Sequence, residues 1–507
     1  MAMAELLTER NERAPLLLGG YTALAESTWM GAAQASDVLE PARTASPRRP
    51  APFSLRSLFQ RELSVTEASA VLMASFFCSA LLGAVRQVLF NIQFGAGTDA
   101  IAYYAAFRLP DTLFSLVAGG ALSSAMIPVL LATVREEGDA AGQRLISLVL
   151  SALLAVFAAV VVAGELAAPA FVGKILAPGF DPLTIRLTVA LTRLMLIQPI
   201  ILAAGSVATA VLNSRNRFAL TALSVASHNV GLIAGIMASR LLPGLGIYGP
   251  ALGVIAGAVL QALILLPALF ERNRRYRPLW DPADRRLRAV VALLIPNGLA
   301  VGVGYAGNIV DTAFASKAVE TAGLAALQNA WMLVGLPIAL LGQAVGQAAF
   351  PRLAASAAAL DWMSLRRAVL QSLGVTMALA VPALLALLVL GRPVIRLLFE
   401  HGKFGAATGD LTFAVLVPYA LALPAYVASE VLVRSLIALQ DTRTPLFTNS
   451  AQLATRAGLM ALLLGTLDIR AIPTAFALAA VAESLALATV LFVKVQRRLH
   501  EPAPAVG

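Results

Sequence analysis

The sequence predicts an all-α integral membrane protein of about twelve transmembrane helices, set as two pseudo-symmetric six-helix lobes around a central cavity. Three observations carry this. Of 507 residues, 59% are hydrophobic and only 13% charged, and about 20 consecutive apolar residues cross a bilayer. Runs of that length recur near 67–92, 100–132, 144–168, 184–212, 217–241, 247–270, 289–315, 323–350, 366–390, 410–438, 445–466 and 471–495. A basic stretch with seven arginines, Glu271–Arg288, divides them six and six.

In chain order, residues 1–60 are rich in Ala, Pro and Arg without a sustained period, the composition of a disordered cytoplasmic tail. Leu16-Leu17-Leu18 is too short for the apolar core of a signal peptide. Residues 61–270 form the first lobe, 271–288 a basic cytoplasmic linker, 289–498 the second lobe and 499–507 a short C-terminal tail. With the N-terminus inside, 25 basic residues fall on cytoplasmic segments, eight on outer loops and five within spans. That split obeys the positive-inside rule and places both termini in the cytoplasm. The net charge of +10 is therefore an orientation signal rather than a nucleic-acid footprint. The single cysteine, Cys78, excludes a disulfide framework.

The two halves echo each other. A shift of 223 places Gly119 on Gly342, Ala121 on Ala344, Ala125 on Ala348, Pro128 on Pro351 and Leu130 on Leu353. The echo implies two six-helix bundles in parallel orientation, with a substrate site between them.

The stretch Phe94–Pro128 is the most informative. A Gly-rich turn, Phe94-Gly95-Ala96-Gly97, leads into a span that carries Asp99, Arg108 and Asp111 around Pro110. Charges in a membrane segment usually face a protein interior or a water-filled cavity. Arg86, deep in the first span, and Asp99 flank this turn, and a pair there would gate the outer side. Arg108 and Asp111 are three apart and share a helix face, as do Glu430 and Arg434 at four apart. Arg108, Asp111 and Arg434 are cavity candidates with Arg86. Asp311 stands alone in an apolar context, so it is a candidate cation ligand or interlobe ion-pair partner. No enzyme constellation is present: the three histidines have no metal-ligand spacing, and there is no P-loop.

Several ordered motifs give the chain a resemblance to a known family. They are Phe94-Gly95-Ala96-Gly97-Thr98-Asp99-Ala100, Ala106-Phe107-Arg108-Leu109-Pro110, and Gly120-Ala121-Leu122-Ser123-Ser124-Ala125 with Ile127-Pro128. The second half adds Asp311-Thr312-Ala313-Phe314-Ala315-Ser316, His401-Gly402-Lys403-Phe404 and Asp441-Thr442-Arg443-Thr444-Pro445. Over residues 68–498 the sequence resembles the MurJ/MviN family of lipid II flippases, within the multidrug/oligosaccharidyl-lipid/polysaccharide (MOP) exporter superfamily. The resemblance implies two lobes around a cationic cavity. It implies alternating access that moves an undecaprenyl-diphosphate-linked muropeptide between leaflets of the bacterial cytoplasmic membrane, without catalysis and as a monomer among membrane lipids. It matches Arg86 and Asp99 to cavity or gate residues and Asp311 to a sodium ligand of some members. Membrane potential, sodium or protons would drive the cycle, with no other cofactor.

The departures from the pattern are specific. Ala80, Phe114, Ser115 and Met332 stand where the family usually has arginine, and Gly119 where it has glutamate. The apolar runs stop at the twelfth, whereas well-known members have two more helices that shape a groove for the lipid tail. Arg86 and Arg108 remain to hold a diphosphate by charge-assisted hydrogen bonds, with Arg193, Arg434 and Arg456 as replacements from other helices. A flippase for another polyprenyl-diphosphate-linked oligosaccharide, such as an exopolysaccharide or O-antigen unit, is the second reading, and a small-molecule antiporter the third.

Overall fold

A computed structural model describes residues 65–118, 121–215, 217–269 and 276–500. The N-terminal tail, Gly119, Gly120, part of the basic linker and the last seven residues lie outside them. Fifteen α-helices and a few short 3-10 and π turns make up the described fold, and no strand occurs among the described residues. The first half holds α1 (Val65–Phe94), α2 (Thr98–Ala118), α3 (Ala121–Glu137), α4 (Asp139–Phe171), α5 (Pro182–Met195), α6 (Ile197–Asn213), α7 (Phe218–Leu241) and α8 (Tyr248–Leu265). The second holds α9 (Arg285–Ser316), α10 (Gly323–Pro337), α11 (Ala344–Ala358), α12 (Trp362–Phe399), α13 (Ala406–Ala438), α14 (Arg443–Leu467) and α15 (Ala471–His500).

Two expected spans are each built from two helices, α5 with α6 and α10 with α11, and a third holds α2 and α3, whose junction at Gly119 and Gly120 lies outside the described residues. With that pairing the fifteen helices make the twelve expected spans. Among the described residues, nine helical stretches are long and apolar enough to cross a membrane, and one of them, Arg443–His500, contains both α14 and α15. The two expected spans outside that set are α2 with α3, where Arg108 and Asp111 sit, and α9.

Local sequence sets the helix starts. Asp181 precedes Pro182 and accepts hydrogen bonds from the Leu183 and Thr184 amides at 2.9 and 3.1 Å. Asp284 caps α9 and Asp361 caps α12 in the same way. Such caps satisfy amides that no helical carbonyl can reach. Small residues set the tightest seam. A Cβ on Gly231 of α7 would lie 2.3 Å from the Gly257 Cα of α8, so these backbones touch. At the other extreme, α12 turns Leu370, Val375, Leu379, Leu385, Val389 and Leu390 outward, as a helix bordered by lipid should.

The buried core has one shared part and two separate parts. At one end, Phe90, Tyr103 and Tyr104 of the first half share a cluster with Leu324, Phe399, Tyr419 and Phe476 of the second. At the opposite end the cores divide. Leu122, Met126, Leu145, Leu212 and the start of α9 (Leu287, Val290) form one cluster, and Leu353, Leu365, Leu436 and Leu491 form another. The lobes are thus joined at one end, while at the other only the start of α9 crosses into the first half's cluster.

The joined end is clasped by two loop contacts that exchange under the pseudo-twofold. The α1–α2 turn meets the α12–α13 loop, where the Lys403 amide donates to the Ile92 carbonyl at 2.9 Å. The loop before α5 meets the end of α9, where the Gly179 amide donates to Ser316 Oγ at 3.0 Å. A Cβ at Gly179 would stand 2.2 Å from the Ser316 carbonyl oxygen. Shifting by six spans turns the first contact into the second.

Candidate functional site

Between the clasp and the divided end lies a polar seam where α1 and α2 face α9 and α10. Its deepest part is a buried amide network. Gln87 and Asn91 are four apart on α1 and so share a face. Gln87 Nε2 donates to Tyr104 Oη at 2.6 Å and to Asn329 Oδ1 at 3.0 Å. Asn91 Nδ2 donates to Asn329 Oδ1 at 2.8 Å, and Asn329 Nδ2 donates to the Ala325 carbonyl at 2.9 Å. Asn91 and Asn329 are fully buried. The sequence reading missed this lock. Its signal was available: three carboxamides inside apolar spans, each needing a partner once away from water.

Arg108 stands beside the lock on α2 and crosses the seam. Its Nε donates to Thr312 Oγ1 of α9 and its Nη2 to Gln328 Oε1 of α10, each at 3.2 Å. No ion pair joins it to Asp111 among the described residues, although the two share a helix face. Asp111 instead lies in electrostatic range of both Arg108 and Arg86. Tyr305 of α9 hydrogen-bonds Ser115, one turn beyond Asp111.

Arg86 does not pair with Asp99. Its Nη1 donates to Asn229 Oδ1 of α7 at 3.2 Å, and Asn229 is steadied by a 3.0 Å bond from its Nδ2 to Ser79 Oγ. The reason is geometric. Arg86 lies eight residues before Phe94, roughly 12 Å along the helix, and reaches sideways to α7. Asp99 is beyond the Gly95–Gly97 turn, exposed in the first turn of α2.

The replacement arginines each have a carboxylate in their own lobe. Arg193 lies opposite the buried stripe of α5 (Thr184, Thr188, Leu191, Met195) and faces Glu165 of α4 at 3.6 Å. Arg434 pairs with Glu430 at 3.6 Å and lies along Gly346 of α11, where a Cβ would come within 2.4 Å of its Nε. Arg456 of α14 forms a buried ion pair with Asp311 and stacks its guanidinium 4.8 Å from the Phe476 ring centroid. Asp311 therefore bonds within its own half rather than across the seam. Arg86 and Arg108 differ from these three in that their hydrogen-bond partners are an amide, a hydroxyl and an amide, all neutral.

A polar seam between two six-span lobes, clasped at one end and divided at the other, defines a membrane exporter of the MOP type. Solved structures share the architecture. One described as the lipid II flippase MurJ in an inward closed conformation matches with a TM-score of 0.73 at 21% identity, over 85% of this chain and 91% of that one. An inward-facing multidrug resistance MATE family transporter of the MOP superfamily matches at 0.72 and 14% identity, over 84% and 96%. The family model described as lipid II flippase MurJ matches residues 90–504, and the chain belongs to that family. Among curated relatives, the lipid II flippase MurJ of Burkholderia cenocepacia is 31% identical over 72% of this chain and 72% of its own length. The probable lipid II flippase MurJ of Rhizobium meliloti is 28% identical over 82% and 78%.

Proposed function

We propose that this chain is a lipid II flippase, which moves the undecaprenyl-diphosphate-linked peptidoglycan precursor across the bacterial cytoplasmic membrane by alternating access. The observation that carries the reading is the pair Arg86 and Arg108. Both sit on adjacent helices of the seam, both act on Asp111 and Tyr104, and neither has a carboxylate bonded to its guanidinium. Their hydrogen-bond partners are neutral, so both guanidiniums can turn to an anion. A guanidinium holds a phosphate with two parallel N–H donors, and such bonds strengthen where water is excluded.

The chain acts as a monomer with both termini in the cytoplasm, and it performs no catalysis. The clasped end then faces outward and the divided end opens to the cytoplasm, where the precursor is made. The diphosphate enters from that side while the prenyl tail stays in lipid. Taking Arg108 requires the diphosphate to displace Thr312 and Gln328. Those are two of the bonds that hold α2 to the second lobe, so loading the substrate loosens the seam. Family membership favours lipid II over other polyprenyl-diphosphate glycans. Membrane potential or protons supply the driving force.

The test is complementation of cells depleted of their own lipid II flippase, following lysis and lipid II in the outer leaflet. Wild type and Arg193→Ala restore growth, whereas Arg86→Ala and Arg108→Ala do not, at equal protein levels in the membrane. Failure of a well-expressed wild-type chain would move the assignment to another lipid-linked glycan.

A further inference from the structure

Sodium is the ion that the family resemblance brings to Asp311, and the residues around Asp311 do not fit it. A hard cation is held by several oxygen lone pairs converging on one point. Around this carboxylate the structure places one guanidinium and no converging oxygens: Oδ1 is buried without a hydrogen-bond partner, and Oδ2 faces Arg456. Arg456 bonds Oδ2 directly, with both side chains nearly buried at 9% and 13% exposure. Gly307, one turn before Asp311, makes room for it: a Cβ there would lie 3.4 Å from Arg456 Nη1. Phe476 closes the other face of the guanidinium. The hydroxyl nearest in sequence, Thr312, donates to the Asn308 carbonyl at 2.8 Å and accepts from Arg108. Arg108 itself is in electrostatic range of Asp311. The one bonded partner of this carboxylate is therefore already a cation, and a sodium ion at the same place would be repelled by it.

We infer that Arg456 is a tethered counter-ion that takes the cation place at Asp311, so that this carboxylate binds no sodium. The guanidinium supplies on a side chain what a mobile ion would supply from solution. It neutralises Asp311 and ties α9 to α14, with Phe476 bringing in α15. The ion cannot leave, so the link does not vary with external sodium. The consequence for transport, a cycle indifferent to sodium, rests on the flippase reading above; the ion-binding claim does not.

The experiment reads ion binding on the purified full-length chain, without lipid substrate. Thermal unfolding midpoints are compared in NaCl and KCl at equal ionic strength, together with equilibrium binding of radiolabelled sodium. Wild type shows the same midpoint in both salts and no saturable sodium binding. Arg456→Lys keeps that indifference because it keeps the charge. Arg456→Ser frees Asp311 and leaves a pocket, so it gains a saturable stabilisation by sodium that potassium does not give. Saturable sodium binding by wild type that Asp311→Asn abolishes would overturn the inference. So would a folded Arg456→Ser that stays indifferent to sodium. Should Arg456→Ser not fold, the wild-type and Asp311→Asn titrations decide alone. A failure of lipid II complementation would leave all these readings unchanged.

Discussion

Gly95 and Gly402 hold each other's turns. Both have positive φ, 64° and 61°, and each lies where a side chain would strike the other loop. A Cβ on Gly95 would stand 2.6 Å from the Lys403 carbonyl oxygen, and one on Gly402 2.3 Å from the Ile92 carbonyl oxygen. An L-residue in the left-handed region costs about 1–2 kcal/mol before any clash. Gly402→Ala therefore weakens the clasp without touching the seam. Hydrogen exchange of the Lys403 amide, which bonds Ile92, should quicken by at least about tenfold for each 1.4 kcal/mol lost. Unchanged exchange would mean that this contact does not hold the end closed.

The amide lock makes a second prediction. Asn329→Leu strands the buried Asn91 Nδ2, costing about 1–3 kcal/mol when unsatisfied, while Gln87 keeps its bond to Tyr104. The variant should unfold at a lower temperature in detergent. Adding Asn91→Leu removes one stranded group, so the double variant loses less than the sum of the two singles. Strictly additive losses would show that the two side chains are not coupled.

Arg108 separates charge from shape. Lysine keeps the charge but has no planar fork, and cannot hold Thr312 and Gln328 as the guanidinium does. Loss of a charge-assisted hydrogen bond costs about 1.5–3 kcal/mol. Arg108→Ala should lower lipid II flipping by at least tenfold, with Arg108→Lys between it and wild type. Wild-type flipping by Arg108→Ala would remove this residue from the site.

Asp441 gives a pH dependence outside the membrane spans. It accepts from Lys494 Nζ at the end of α15, and from the Thr444 hydroxyl and the Thr444 amide, the last at 3.0 Å. Partial burial works against its ionisation, but the bonds from Lys494 and Thr444 outweigh this and bring its pKa from 3.8 to about 2. The folded value lies below the unfolded one. The contribution is therefore complete above about pH 4 and lost as pH falls through about 2. Because Lys494 is 43% exposed, solvent screening limits it to roughly 1 kcal/mol. Asp441→Asn should be less stable than wild type by that amount from pH 5 to 8, with the gap closing below pH 3. A gap that persists at pH 2 would exclude the carboxylate as its source.

Much of the candidate site was legible residue by residue and little of it pair by pair. Arg86, Arg108, Asp111 and Asp311 stood out because charge in an apolar span is costly, and that cost is written in composition. Their partners were not legible. Arg108 lies three residues from Asp111 yet bonds residues more than 200 positions away. Asp311 looked isolated because Arg456 is 145 positions distant. Helical spacing says which neighbours share a face, and says nothing about which other helix that face meets. Gln87, Asn91 and Asn329 passed unnoticed for a related reason: a neutral amide carries no charge to single it out, although burying it unpaired would be as disruptive as burying a hydroxyl.

The sequence by itself determined the all-α membrane class, the number of spans and the family. Each follows from local composition and order, because lipid obliges every span to satisfy its own backbone. Only the tertiary structure decided which arginines are ion-paired. Arg193, Arg434 and Arg456 are held by Glu165, Glu430 and Asp311, while Arg86 and Arg108 are met by neutral groups. It also decided which end is shut, through Gly95, Gly179 and Gly402. Both depend on the approach of helices distant in sequence, which packing fixes and no local pattern records.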